Sequence, residues 1–368
     1  MTLILNEEEL MLKSSAKEFL KEKSPVSLLR KLRDTQDDVG YDTNLWRGMA
    51  EIGWASLTIP EKYGGLGFGY VGLGQVLEES GRTLTASPLV ATSLLCTTAL
   101  QIGGCEKHKK SLFKDIMLAN ATYAFANEEL QHHNPDHIET TAEKIDDHYV
   151  ITGNKTFVLD GHVATHFIVS AKLQGEVHLF LVNAVASGIH KERVIMMDSR
   201  NSADIQFKQC PALDILSGGA TTFHKTLDIG RIGLSAEMLG CTLEAFERTL
   251  AYIKERKQFG VAIGSFQALQ HRAAKMFCEI ELLKSIVLKA LQAIDEGDEP
   301  LALWASMAKA KAGETIKLVT SEAIQMYGGI GMTDDEEIGF FIKRARVAQV
   351  FLGDYNFHLD RYAHLHGY

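Results

Sequence analysis

The sequence predicts a mainly α-helical protein with one small antiparallel β domain set in its middle. Three observations carry this. The 368 residues include only six prolines, so long helices can run without interruption. From about Tyr123 to Asp214 the apolar pattern changes to short β-rich runs. After Asp214 come long amphipathic stretches, which together read as a four-helix bundle. The expected order is an N-terminal helical domain (residues 1–120), a barrel-like antiparallel β domain (121–214) and a C-terminal four-helix bundle (215–368).

The first element opens at Asn6, an N-cap followed by Glu7, Glu8 and Glu9, with Glu9 placed to complete a capping box. Leu12, Ala16, Phe19 and Leu20 then repeat at helical spacing. A second helix is expected through Leu45, Met49 and Ile52, ending at Gly53. Ser80 to Leu100 is small and apolar and reads as a buried helix pair. In the middle, "HYVITGNKTFVL" reads as two strands around a turn at Thr152-Gly153-Asn154, and "HFIVSAKLQGEVHLFLV" as two more around Gln174-Gly175. Helices are then expected over 222–254, 265–293, 300–327 and 338–350. Asp334 to Glu337, after Thr333, read as the cap of the last of these.

Composition excludes several classes of function. The chain is 46% hydrophobic and 23% charged, with a formal net charge of −9. That balance is globular, and it offers no basic excess to neutralise nucleic-acid phosphates. No apolar run reaches membrane-spanning length. "MTLILNEEEL" lacks a basic leader region, so no signal peptide is expected and the protein is placed in the cytoplasm. The five cysteines are scattered without a C-x-x-C, so no cysteine zinc site is expected and each is assigned to packing. No metal is expected. His132, His133 and His137 in "QHHNPDH" read as a solvated loop, as do His358, His364 and His366.

"GFGYVG" at Gly67 to Gly72 matches a dinucleotide fingerprint, but no strand precedes it, so it reads as a glycine turn. Two later segments carry more information. In "YIKERKQFGVAIGSFQALQ", Arg256 stands at a helix end, before Gln258-Phe259-Gly260 and a new helix bearing Gln267. In "AIQMYGGIGMT", Gln325 precedes the close glycines Gly328 and Gly329. Open backbone of this kind can lie against a pyrophosphate, with Arg256 countering its charge.

Together with "LWRGMAEIGWASLTIPEKYGGLGFGYVGLGQVLEESGR", these segments resemble the acyl-CoA dehydrogenase family over nearly the whole chain. The resemblance implies FAD bound between the β domain and the bundle, in a homodimer, a homotetramer or a heteromer with a homologous subunit. It implies that Arg256, Gln258, Phe259, Gln267, Gln325, Gly328 and Gly329 contact the FAD of a neighbouring subunit. It places Phe125, Asn127, Phe157, Val158 and Leu159 beside the isoalloxazine. The chain departs from the family where the Thr-Glu-Pro-Gly-x-Gly-Ser-Asp loop is replaced by "NEELQHHNP", and where Leu159 stands in place of a threonine.

The family reaction is α,β-dehydrogenation of an acyl-CoA, with a carboxylate as the base. The Glu that precedes a glycine in the C-terminal turn is here Leu352, and a second subgroup's base position, just before Arg231, is Gly230. Asp354 and Glu237 are the acids nearest these positions. Asp354 reads either as the base or as an Asx turn, and Glu237 as the base or as the partner of an arginine. The retained flavin signatures lead to the expectation of a rearranged site that oxidises acyl-CoA and passes electrons to an electron-transfer flavoprotein. Two alternatives stay open: a catalytically silent subunit of a heteromer, and a flavin monooxygenase or oxidase.

Overall fold

The computed structural model describes residues 3–368. Met1 and Thr2, which open the segment read as lacking a leader, lie outside them. Among the described residues, no helix is long and apolar enough to cross a membrane. The chain divides into two compact units. One comprises Met1–Lys31, Gly74–Thr85 and Arg231–Tyr368, and the other Leu32–Leu73 and Ala86–Gly230.

In the first unit, α1 (Glu7–Lys23) starts with the expected capping box: Glu9 N donates to Asn6 Oδ1 and Asn6 N to Glu9 Oε2, both at 2.8 Å. α2 (Val26–Asp34) begins in this unit, and its Arg30 pairs with Asp334. The C-terminal half of α4 (Tyr70–Arg82) lies against α7 (Gly219–Glu255) at small residues. A Cβ on Gly240 would stand 1.7 Å from the Glu78 carbonyl oxygen, and one on Gly81 2.0 Å from that of Glu237. α9 (Leu301–Tyr327) packs on α8 (Gln267–Glu296), α10 (Ile338–Val350) and α11 (Tyr355–Leu365). Asp334 to Glu337 do not cap α10, whose N-terminus carries no side-chain cap. Asp334 and Glu337 turn instead to Arg30 and Arg248, because a charge-assisted bond to a guanidinium competes with the helix end.

In the second unit, α3 (Thr43–Glu51) ends near Gly53 at φ 88°, as expected. The glycine run leads from a 3-10 turn, not a strand, into α4. The expected helix pair over 80–100 is a π-helix, Leu89–Cys96, running into α5 (Thr97–Gly103). Every residue of Leu89–Cys96 is buried, so no exposed face marked its winding. α6 (Glu106–Met117) follows.

The sheet has the order β6-β7-β3-β2-β4-β5-β8, with β1 also on β4. Its strands are β1 (Tyr123–Ala126), β2 (Thr141–Ile145), β3 (His148–Leu159), β4 (His166–Leu173), β5 (Glu176–Asn183), β6 (Ile189–Ile195), β7 (Asn201–Ala212) and β8 (Asp214–Leu216). Gln174 and Gly175 turn β4 into β5 with positive φ at both, as expected for a tight hairpin. Gly153 is no turn: β3 runs through it with a register shift, and a Cβ there would stand 2.4 Å from Thr140 Oγ1. Inward residues alternate, as with Ala203, Ile205 and Phe207 on β7. Buried rings such as Phe167, Phe180 and Phe207 contribute about 1.5–3 kcal/mol each. The sheet is not purely antiparallel, because β1 and β2 both run parallel to β4, end to end along one edge of it. The segment between them, residues 127–140, bridges that edge instead of reversing direction.

Candidate active site

The turn between α10 and α11 is where the sequence places the vacated base position. The chain leaves α10 through an extended Phe351, then takes Leu352 at φ 60° and Gly353 at φ 103°. A leucine in the left-handed region costs on the order of 1–3 kcal/mol, so its neighbours must hold it there. Three buried side chains do so, among them His358, which lies fully buried in α11 and not in the solvated loop expected. The Leu352 carbonyl accepts from Arg231 Nε and from His358 Nε2, each at 3.1 Å. Lys309 Nζ donates to Gly353 O at 2.8 Å and to Gln349 O at 3.1 Å. Gly353 has no room for a side chain, since a Cβ would stand 2.5 Å from the Phe357 ring. The Leu352 side chain is 1% exposed. The turn is tightly built, and an apolar group sits where a carboxylate is expected.

Both candidate acids are engaged elsewhere. Asp354 is exposed and caps α11, its Oδ1 accepting from Phe357 N at 2.8 Å. Glu237 is buried, and Arg344 Nη2 lies 2.9 Å from both of its carboxylate oxygens. These are the Asx-turn and ion-pair geometries the sequence left open. Beside the turn, burial pushes Lys309 down to about 7; Arg231 adds to the fall and Asp354 opposes it.

The β domain holds a second cluster. Lys155 points inward from β3 and fills the gap on β4 that neither β1 nor β2 covers. Its Nζ donates to Glu129 Oε1 at 2.7 Å and to Ser170 Oγ at 2.9 Å. Burial pushes this lysine down to about 8, against the pull of Glu129 and Glu128. His133 is not solvated: its side chain is sealed against Glu128, which also accepts from Asn127 Nδ2 at 2.8 Å. His132 does lie exposed, as expected. Phe125 and Asn127 are buried at the end of β1, with Phe125 stacked on Phe223. Phe157 takes φ 54° in the bulge between Lys155 and Val158, and Val158 and Leu159 are buried beyond it. A bulge of this kind re-aims one side chain against its strand.

The remaining predicted residues are exposed. Arg256, Gln258, Phe259 and Gln267 follow the end of α7, through the small hairpin β9 (Lys257–Gln258) and β10 (Val261–Ala262), to the start of α8. Phe259 is 91% exposed. The N-terminus of α8, thirty residues long, has neither a side-chain cap nor an acid in its first turn. Gln325, Gly328 and Gly329 are exposed at the end of α9. A Cβ on Gly329 would meet nothing within 4 Å, and its φ does not demand glycine.

Sequence reasoning did not single out Lys155 or Lys309. Both interrupt an apolar period. Lys309 stands on the buried stripe of Ala305, Ala312 and Ile316, and Lys155 on the inward face of β3 with Ile151. A lysine at an inward position is the signal that was available.

Three family models match along the chain: "Acyl-CoA dehydrogenase, N-terminal domain" over residues 6–120, "middle domain" over 126–210 and "C-terminal domain" over 217–364. The chain is 28% identical to the short/branched chain specific acyl-CoA dehydrogenase, mitochondrial, of Bos taurus, over 97% of this chain and 85% of the other. Among solved structures it is similar to one described as "Tcur3481-Tcur3483 steroid ACAD G363A variant", with 29% identity, a TM-score of 0.92 and coverage of 100% and 99%. It is also similar to butyryl-CoA dehydrogenase from Megasphaera elsdenii, with 25% identity, a TM-score of 0.90 and full coverage of both chains.

Proposed function

Because this chain belongs to the acyl-CoA dehydrogenase family of oxidoreductases, we propose that it serves FAD-dependent α,β-dehydrogenation of an acyl-CoA thioester as a subunit that supports a neighbour's flavin without supplying a base. One contrast carries this reading. The residues that would serve a flavin and substrate in its own site are altered, while those that would serve a neighbour's flavin are kept. Leu352 replaces the carboxylate, Asp354 and Glu237 are committed to a helix cap and an ion pair, and in the loop that would face the flavin Glu128 is turned to His133.

The kept residues fit the cofactor's phosphate end. An uncapped helix N-terminus presents free N–H groups to an anion, and Arg256 stands one short hairpin before it. Gly329 leaves space that nothing else in its own chain occupies. FAD, when bound, accepts the hydride from the substrate's β-carbon. Arg256, Gln258, Phe259 and Gln267, with Gln325, Gly328 and Gly329, would hold its adenosine and pyrophosphate. Phe125, Asn127 and the segment Phe157-Val158-Leu159 would stand at the flavin ring of this chain's own site, where Leu159 replaces a threonine. The base then comes from a homologous chain that carries Glu before glycine in its C-terminal turn, and the electrons leave to an electron-transfer flavoprotein. A paired name, as in "Tcur3481-Tcur3483", supports a two-chain arrangement.

FAD content tests this. In a complex of the two chains, bound FAD should scale with the amount of the Glu-bearing partner, and Arg256→Ala in this chain should lower it. FAD retained in full by Arg256→Ala would overturn the assignment.

A further inference from the structure

The second unit contains a cluster that the flavin chemistry does not use. Cys105 is the N-cap residue of α6, and His108 follows three residues later in the first turn, so both side chains lie at the same helix end. Asp214 opens β8, which is brought to this place by Ser217: its N and Oγ donate to Gly103 O at 2.7 and 3.1 Å. Gly103 permits that approach, since a Cβ there would stand 2.7 Å from Ser217 O.

His108 Nδ1 faces Cys105 Sγ at 3.3 Å and Asp214 Oδ2 at 2.7 Å. A single ring nitrogen cannot serve both. With a proton it donates to the carboxylate and leaves the sulfur without one; without a proton it turns a lone pair toward an anion. The three donor atoms lie within 4.8 Å of one another. Among the described residues, no other group of three such side chains comes as close.

We propose that Cys105, His108 and Asp214 bind a zinc ion, with a fourth position open to water. Zinc takes thiolate, imidazole and carboxylate at about 2.0–2.3 Å in a tetrahedron, which sets neighbouring donor atoms about 3.3–3.7 Å apart. The Cys–His spacing already falls in that range. The His–Asp spacing must open by about half an ångström, and side chains that are 23% and 31% exposed can move that far. A thiolate with a carboxylate balances a divalent charge. The missing C-x-x-C does not bear on this site, because its third donor comes from 106 residues further along the chain, by the difference between positions 108 and 214.

The test is alkylation of the whole chain with iodoacetamide, with and without zinc, read by mass spectrometry at each cysteine. Cys105 and Cys278 are both exposed, so both should react without metal. Zinc should slow Cys105 by about tenfold or more and leave Cys278 unchanged, since a metal-bound thiolate is masked. His108→Ala and Asp214→Asn should each remove the protection. Equal slowing of both cysteines, no slowing of Cys105, or protection that survives in either variant would overturn the proposal.

Discussion

Arg344 Nη2 lies 2.9 Å from both carboxylate oxygens of Glu237, and the two side chains are 6% and 4% exposed. A carboxylate held this way is occupied by its partner and is not free to take a proton from a substrate. Glu237→Gln should therefore act on stability, leaving a buried guanidinium without its counter-charge at a cost of about 3–5 kcal/mol. Urea unfolding of the variant measures this. A stability within error of wild type would show that the pair does not hold the fold.

Asp354 separates a cap from a base. Asparagine caps a helix as well as aspartate does, whereas alanine does not. Asp354→Asn should leave stability near wild type, and Asp354→Ala should cost about 1 kcal/mol, read from thermal or urea unfolding.

Lys309 sets a pH dependence. Its pKa is about 7 in the folded chain against a usual 10.5. Between those values the unfolded chain binds a proton that the folded chain lacks, so stability rises with pH across that window, by at most about 1.4 kcal/mol per pH unit. Below about 7 both states carry the proton, and the full cost of burying the cation is present. Lys155, at about 8, adds a slope of the same sign. Lys309→Met should flatten part of the rise, measured as the difference in urea stability between about pH 7 and about pH 10 for variant and wild type. An unchanged slope would place the titration elsewhere.

Two glycines should respond in opposite ways. Gly240→Ala forces a methyl against the Glu78 carbonyl and should cost about 1–3 kcal/mol or more. Gly329→Ala meets nothing in its own chain and should stay within about 0.5 kcal/mol of wild type while lowering FAD retention in the complex. Unfolding curves and flavin content, read on both variants, check the pair.

The parts legible in the sequence were those fixed by local chemistry. Asn6 with Glu9, the Gln174-Gly175 hairpin and the span of α10 each depend on residues within a few positions of one another. The parts that were not legible depend on distant partners. Gly153 resembles a turn until Thr140, on a separate segment, is seen to need its space. His133 reads as solvated until the bridge between β1 and β2 folds it onto Glu128. The positions of the candidate site followed from motif and resemblance. Whether Asp354 and Glu237 were free depended on Phe357 and Arg344, which spacing alone did not connect to them.

The most direct test of the central claim is anaerobic reduction of FAD by acyl-CoA with this chain alone. The chain, supplied with an excess of free FAD, is mixed with butyryl, short branched-chain and steroid side-chain CoA thioesters. The account predicts that the flavin is not bleached by any of them, because Leu352 stands at the base position while Asp354 caps a helix and Glu237 is held by Arg344. It would be contradicted if wild type bleached with any of them, and a roughly hundredfold slowing in Asp354→Asn would then identify Asp354 as the base.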